Sequence, residues 1–461
     1  MNLYLIGHDY RYAAEQMLLT LFPDERPEYP DGRPTGDRAE LRLMSGTKVT
    51  TVTCVLVYHG QTANGRTSVP NGELTDPAET DRRLQGAVKR AFYRAAMGIG
   101  LPHRPWGMLT GVRPGKLMTP LLAQGLNDAQ AARQFERQYD VSPARADLVV
   151  RTAHATLRAM ESLGSKDVCL YVGIPFCPTR CAYCSFVSQS VEKSMALVPE
   201  FLQALAREIA ATAEAVRRAG LRVVSLYIGG GTPTTLSARQ LDALCTQLAA
   251  AFDLSALREF TVEAGRPDTI TADKLQVLRA HRVDRISVNP QTLDDRVLDT
   301  IGRRHTAQDI YDALRLVRET GGFAVNMDLI AGLPGDTPDG FRATLEQVLA
   351  LAPENITVHT LSRKRGSNLM AQDAPIPDGA AVGEMLDFAG TVLPRAGYAP
   401  YYLYRQKFMS GGFENVGWTR PGGEGLYNIY IMEELHSILS LGAGGSTKMV
   451  GGGQIRRAFN A

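Results

Sequence analysis

The chain of 461 residues is long enough for one large domain with appendages or for two to three domains, and its apolar fraction of 44% is that of an ordinary globular protein. Its 50 Lys and Arg against 48 Asp and Glu leave a net charge of +2, which argues against a nucleic-acid protein or a binder of acidic membranes. The opening MNLYLIGHDYRYAAEQM has no basic or long apolar segment, and no apolar run reaches the roughly 20 residues of a membrane span, so a cytoplasmic protein is expected.

Residues 1–100 read as an N-terminal α/β region: a strand at NLYLIG, a helix to about Phe22, a β-rich run KVTTVTCVLVYHG and a helix at LQGAVKRAFYRAAMGI. Residues 101–165 form a helical connector that opens with Pro102, Pro105 and Pro114. From 166 to 395, short β-branched runs alternate with helical stretches. The strands are VCLYVGI, VVSLYIG, EFTVEA, DRISVN, FAVNMDLI and NITVHTL, each a continuous apolar run suited to parallel strands buried on both faces. Six β/α units in series predict an α/β fold, a partial parallel (β/α)6 TIM-like barrel. Residues 396–461 turn aromatic and then glycine-rich (YYLYRQKFMSGGF, LGAGGSTKMVGGGQ) and read as a separate, small C-terminal region that covers substrate.

Six cysteines are too few for a disulfide scaffold. Cys54, Cys169 and Cys245 sit in apolar surroundings and read as buried small hydrophobes. The other three form Cys177-Pro-Thr-Arg-Cys181-Ala-Tyr-Cys184. Pro175 and Pro178 exclude a regular helix, so the thiols lie on a loop. Such a loop can wrap a compact cluster, and thiolates suit iron–sulfur clusters. A 4Fe–4S cubane has four irons and the loop offers three ligands; Phe186, not a cysteine, stands two residues after Cys184. One iron is then open to the amino and carboxylate groups of S-adenosylmethionine. Electron transfer to the sulfonium would release a 5′-deoxyadenosyl radical. A structural zinc is the competing reading, but it needs a fourth ligand. Cys169 is the candidate, and it falls in a strand.

The phrases YVGIPFCPTRCAYCSF and YIGGGTPT resemble the radical S-adenosylmethionine superfamily, and within it the oxygen-independent coproporphyrinogen III oxidase group. PWGMLTGVRPGKLM and YRQKFMSGGFENVGW are similar to the HemZ branch of that group. The shared catalytic portion runs from about Val168 to Arg365, and the branch-level likeness extends over most of the chain. The resemblance implies one S-adenosylmethionine, with a second an open question, and a reduced flavodoxin- or ferredoxin-type electron donor. It implies that Cys177, Cys181 and Cys184 carry the cluster. It also implies that Gly230 and Gly231 contact the methionine part of the cofactor, with Thr232 beside them.

Position supports one shared site. In a parallel barrel the chemistry sits at the carboxyl ends of the strands. The cysteine loop follows the first strand and Gly229–Pro233 the second; Glu263 ends the third, and Asn289 and Gln291 follow the fourth. Asp328 lies near the end of the fifth, and His359 and Ser362 at the end of the sixth. Glu263 is a carboxylate in the apolar run TVEAG, and burial without a partner is costly. A cationic ligand group or a buried ion pair would satisfy it; the resembling family uses it for S-adenosylmethionine. Tyr171 and Tyr183 match aromatic positions near the family's cofactor; Tyr183 either stacks on adenine or packs in the core. Gln291, Arg303 and Asp328 match further cofactor-pocket positions. Asp328 suits a ribose or ammonium group, while Arg303 and Arg304 are candidates for substrate carboxylates or simply solvated.

Two positions depart from the family pattern. Gly173 stands where histidine is common, which removes any proton relay there. Phe186 stands where the decarboxylase branch often has a fourth cysteine, as it does in the heme-chaperone branch. The primary expectation is an enzyme converting coproporphyrinogen III to protoporphyrinogen IX, by hydrogen abstraction at a propionate β-carbon with loss of an electron and carbon dioxide. The alternatives are a heme-binding carrier of the same superfamily and a radical enzyme with an unrelated substrate.

Overall fold

The computed structural model describes residues 1–111, 113–184, 189–362, 375–406 and 410–460. Phe186, Arg365 and residues 407–409 of the YRQKFM stretch lie outside the described residues. The chain divides into two compact units, residues 1–111 with 127–147 and residues 112–126 with 148–461.

The first unit begins with strand β1 (Asn2–Ile6), helix α1 (Arg11–Leu21), strands β2 (Arg38–Ser45), β3 (Val49–Tyr58) and β4 (Gln61–Pro70), and helix α2 (Pro77–Gly98). The sheet runs β1-β2-β3-β4, with β1 parallel to β2 and the rest antiparallel. The β3–β4 hairpin turns on His59 and Gly60, both with positive φ, the backbone that matches the twist of paired strands. β4 (QTANGRTSVP) is a strand that its own residues do not announce. It pairs with β3 along its whole length, and at Gly65 the backbone lies so close to the Ala91 carbonyl on α2 that no Cβ would fit. Helix α3 (Gly115–Ala123) belongs to the second unit, α4 (Asp128–Tyr139) to the first, and α5 (Pro143–Glu161) enters the second at residue 148.

The second unit holds the six expected strands: β5 (Asp167–Ile174), β6 (Arg222–Gly230), β7 (Glu259–Glu263), β8 (Arg285–Ser287), β9 (Ala324–Ala331) and β10 (Asn355–Thr360). Each pairs in parallel with the next. The helices between them are α6 (Val198–Arg218), α7 (Ala238–Ala251), α8 (Ala272–Ala280), α9 (Asp295–Thr300), α10 (Ala307–Thr320) and α11 (Pro338–Ala350). Capping boxes at Ser237/Gln240 and Thr306/Asp309 start α7 and α10 by satisfying their free N–H groups. The result is the expected partial parallel barrel, an open sheet rather than a closed one.

The last segment does not stand apart as the sequence suggested. After α12 (Gly379–Arg395), strands β11 (Ala399–Arg405) and β12 (Glu414–Thr419) join the β10 edge, β12 running antiparallel to β10. Helix α13 (Leu426–Glu433) crosses back, and β13 (Ser437–Gly442) pairs in parallel with β5 at the other edge, followed by β14 (Ser446–Gly451) and β15 (Gln454–Phe459). Among the described residues the sheet therefore has eleven strands. The glycines of LGAGGSTKMVGGGQ fall mostly in the turns after β13 and β14, and the strands between them are too short to stand out in the sequence. A Cβ on Gly173 would collide with the Ala443 carbonyl, which is why histidine has no room there. Buried Glu259 of β7 locks α13 in place by accepting the N–H groups of Leu426 at 2.6 Å and Tyr427 at 3.1 Å, at the positive end of that helix.

Candidate active site

The cysteine loop leaves the carboxyl end of β5 and is pinned on two sides. On one side, Gly231 N–H donates to Ile174 O at 2.7 Å and Thr232 N–H to Phe176 O at 2.7 Å. On the other, Ala182 N–H donates to Ile301 O at 3.0 Å and Thr179 Oγ1 to Gly302 O at 3.4 Å. Gly231 has no room for a side chain: a Cβ would stand 2.6 Å from Phe176 O. The glycine run thus lets the β6 turn close on the cysteine loop itself.

A cavity of about 560 Å³ opens at this end of the barrel, a size typical of small-molecule sites. Cys177, Cys181, Cys184, Tyr171, Tyr183, Gly230, Gly231, Thr232, Glu263, Gln291, Arg303, Asp328 and Ser362 all line it. Arg304 does not; its largely exposed side chain pairs with Glu192 at 2.5 Å.

The surroundings of the thiols suit an anionic cluster. Thr232 Oγ1 donates to Cys177 Sγ at 3.5 Å. Buried Arg266 puts Nη1 3.8 Å from Cys181 Sγ and 3.0 Å from Thr179 Oγ1, and its Nη2 has no partner among the described residues. Arg303 donates from Nη1 to Asn289 O at 2.5 Å, and its buried Nε is likewise unpartnered. Two buried guanidiniums with spare donors beside three thiols fit a cluster whose thiolates and sulfides carry net negative charge. Burial pushes the Cys177 thiol up to about 11, so a metal is what would take its proton. Cys169, the candidate fourth zinc ligand, is fully buried in β5 with Sγ 3.8 Å from His436 Nε2. At about 3.3 Å of rise per residue it lies on the order of 15 Å below the loop. Among the described residues no three His, Cys, Asp or Glu side chains close on one point as around a single ion.

Two carboxyls face the cavity in contrasting environments. Glu263 accepts from Tyr227 OH at 2.5 Å and Gly230 N–H at 3.2 Å, and no Lys or Arg pairs with it among the described residues. Burial pushes it up to about 7. Burial alone would raise Asp328 too, but His359 and hydrogen bonds from Asn326 and Thr357 overcome this and hold it below its ordinary value. Asn326 Nδ2 donates to Asp328 at 2.7 Å, and His359 Nε2 stands 3.8 Å away. One carboxylate is therefore ionised and the other poised, the pattern of groups given separate tasks. Gln291 is held with φ +65°, its N–H on Asp328 O at 2.8 Å and its carbonyl on Ile330 N–H at 3.0 Å, a conformation retained only where the surroundings enforce it.

A tyrosine wall completes the cavity, and of its rings only Tyr171 is named from the sequence. Tyr227 and Tyr427 stack with centroids 4.3 Å apart, and Tyr171 lies parallel to both at 6.1 and 6.2 Å. Tyr402 and Tyr404 add two more rings. The i, i+2 spacing in YYLYR signals Tyr402 and Tyr404 on one strand face, and Tyr227 shares the face of Gly229. Tyr427 has no such signal, since only the fold brings α13 to the barrel. Tyr183 packs against the apolar cluster of Val297, Leu298, Ile301 and Leu361 while one side lines the cavity.

Residues 171–348 match the Radical SAM superfamily. The oxygen-independent coproporphyrinogen-III oxidase-like protein HemZ of Bacillus subtilis is 40% identical over 383 residues, covering 81% of this chain and 76% of that protein. The chain belongs to the oxygen-independent coproporphyrinogen-III oxidase-like group of the radical SAM superfamily. That family implies a 4Fe–4S cluster and S-adenosylmethionine. Its members with other roles are similar too: the heme chaperone HemW of Lactococcus lactis is 30% identical over 61% of this chain and 69% of its own. Among solved structures, coproporphyrinogen III oxidase (HemN) from Escherichia coli superposes with a TM-score of 0.53 at 25% identity, covering 67% of this chain and 70% of that one. Among the described residues no helix is long and apolar enough to cross a membrane.

Proposed function

We propose that this protein decarboxylates coproporphyrinogen III to protoporphyrinogen IX without oxygen, with electrons from a flavodoxin- or ferredoxin-type donor. The observation that supports this best is the convergence of the three thiols, the Glu263–Asp328 pair and the tyrosine wall on one cavity at the carboxyl ends of the strands. Cys177, Cys181 and Cys184 hold the cluster, which with S-adenosylmethionine supplies the hydrogen-abstracting radical. The chain's own groups do the rest. Gly230 and Gly231, with Thr232, keep the backbone open to the methionine moiety. Glu263 takes the cofactor ammonium and Asp328 its ribose, with Gln291, Arg303 and Ser362 completing the pocket. Tyr171, Tyr183 and the remaining tyrosines exclude water from the reacting carbon.

A second reading, a heme carrier without decarboxylase activity, is favoured by the 30% identity to the heme chaperone HemW. One experiment separates the two. The protein is reconstituted anaerobically with iron and sulfide and incubated with coproporphyrinogen III, S-adenosylmethionine and a reductant. Protoporphyrinogen with stoichiometric deoxyadenosine is the expected result. Stable heme binding with no product would support the carrier. Deoxyadenosine release that coproporphyrinogen does not stimulate would point to an unrelated substrate.

A further inference from the structure

The Arg113-Pro114-Gly115-Lys116 stretch has no part in the site described above, yet it leads to the cavity. Glu434, at the end of α13, is a buried carboxylate ringed by four cations. Arg113 Nη1 lies 2.8 Å and Arg457 Nη2 2.7 Å from Oε1, Lys116 Nζ 2.5 Å from Oε2, and Lys448 Nζ 3.8 Å from Oε1. Neighbouring Glu433 lays its carboxyl against Gly115, where a Cβ would have to displace it, and burial pushes that carboxyl up to about 7. The ring thus sets four cationic side chains around two carboxyls, and burial together with the Arg113, Arg457 and Lys116 charges draws the Lys448 ammonium down to about 8, still mostly protonated at neutral pH.

Lys448 is the member of this ring that lines the cavity. It has the longest of the four contacts to Glu434, and its other hydrogen bond, to Ile431 O, is 3.4 Å. An ammonium has three donors, and these contacts use them weakly. Among the described residues, the cavity's other lysine and arginine side chains, Arg266 and Arg303, stand at the cysteine loop, after β7 and β8. Lys448 enters from β14, on the far side of β5 in the sheet order. The cavity therefore has positive charge at the cluster and again on the wall built by α13 and the β13–β14 turn, with the uncharged tyrosine stack between those strands.

We propose that Lys448, backed by Arg113, Lys116 and Arg457, is a carboxylate subsite that holds a propionate of the tetrapyrrole and so orients the macrocycle towards the cofactor. This rests on the tetrapyrrole reading above. A substrate with several propionates needs one carbon presented to the radical while its other carboxylates are anchored, and a desolvated ammonium with reserve positive charge behind it does this.

The test uses the full chain and two probes of the same shape: coproporphyrin III and its uncharged tetra-amide, titrated by absorbance. The wild type should prefer the acid. Lys448→Met should weaken the acid about tenfold, as expected for losing one hydrogen-bonded charge, and leave the amide unchanged; Lys448→Arg should restore the preference. Equal weakening of both probes in Lys448→Met, or none, would overturn the subsite and leave the tetrapyrrole reading intact. A wild type that binds neither probe would overturn that reading and the subsite with it.

Discussion

Glu263 carries the sharpest consequence at the level of single residues. Its partners are a tyrosine hydroxyl and a backbone N–H, and its pKa stands at about 7 against an ordinary value near 4.3. The folded pKa is raised, so this group's contribution to stability is fully present below the unfolded value and is lost as pH rises through 7. Binding of an ammonium runs the other way, because only the ionised carboxylate attracts it. Tyr227, Asp328 and His359 are the titratable groups facing it. S-adenosylmethionine is therefore expected to bind about tenfold more weakly at pH 6 than at pH 8. Glu263→Gln should bind weakly at both, and calorimetric titration across this range measures the difference. A wild-type affinity flat across that range would contradict the assignment. Glu263 itself was legible in the sequence as a carboxyl in an apolar strand. Its partners were not, because Tyr227 and Gly230 lie on the neighbouring strand and only sheet register sets them beside it.

Among the elements, α13 matters most for its size. It carries Tyr427 into the ring stack and Glu433–Glu434 into the cation ring, and it is fastened by the Glu259 carboxylate at its first turn. Glu259→Ala would leave those N–H groups buried and unpaired, and Arg285 without its carboxylate 3.8 Å away. The expected cost is about 3 kcal/mol, read from urea denaturation, together with loss of coproporphyrin binding through displacement of Tyr427. A variant as stable as the wild type would show that α13 is held by packing alone. The cysteine loop illustrates the opposite case: its prolines and spacing are local, and the structure has no helix over Cys177–Cys184, only the two-residue strand Phe176–Cys177 paired with Gln189–Ser190 before the bend and turn that lead to Cys181 and Cys184. The glycines at the end of β6 were read as making room for a ligand, and the room Gly231 makes first is for the backbone carbonyls of Ile174 and Phe176.

For the whole molecule, the C-terminal segment flanks both edges of the parallel sheet. Truncation after Ala396 would bare β10 on one side and β5 on the other, and would remove Tyr402, Tyr404, Tyr427 and Lys448 from the cavity. Exposed parallel edges pair with other chains, so the truncated protein should aggregate; size-exclusion chromatography would detect it. A monodisperse truncated barrel would refute this account of the edges.

By itself, the sequence determined the six parallel strands and the loop of three thiols. Strands buried on both faces are mostly apolar, and ligand spacing on a short loop is a local property of the chain. Only the tertiary structure decided the two outer edges of the sheet, the tyrosine wall and the ring of cations around Glu434. Those depend on residues far apart in sequence, and short strands such as β13 gain their place in the sheet from the partners they pair with, not from side chains that a sequence displays.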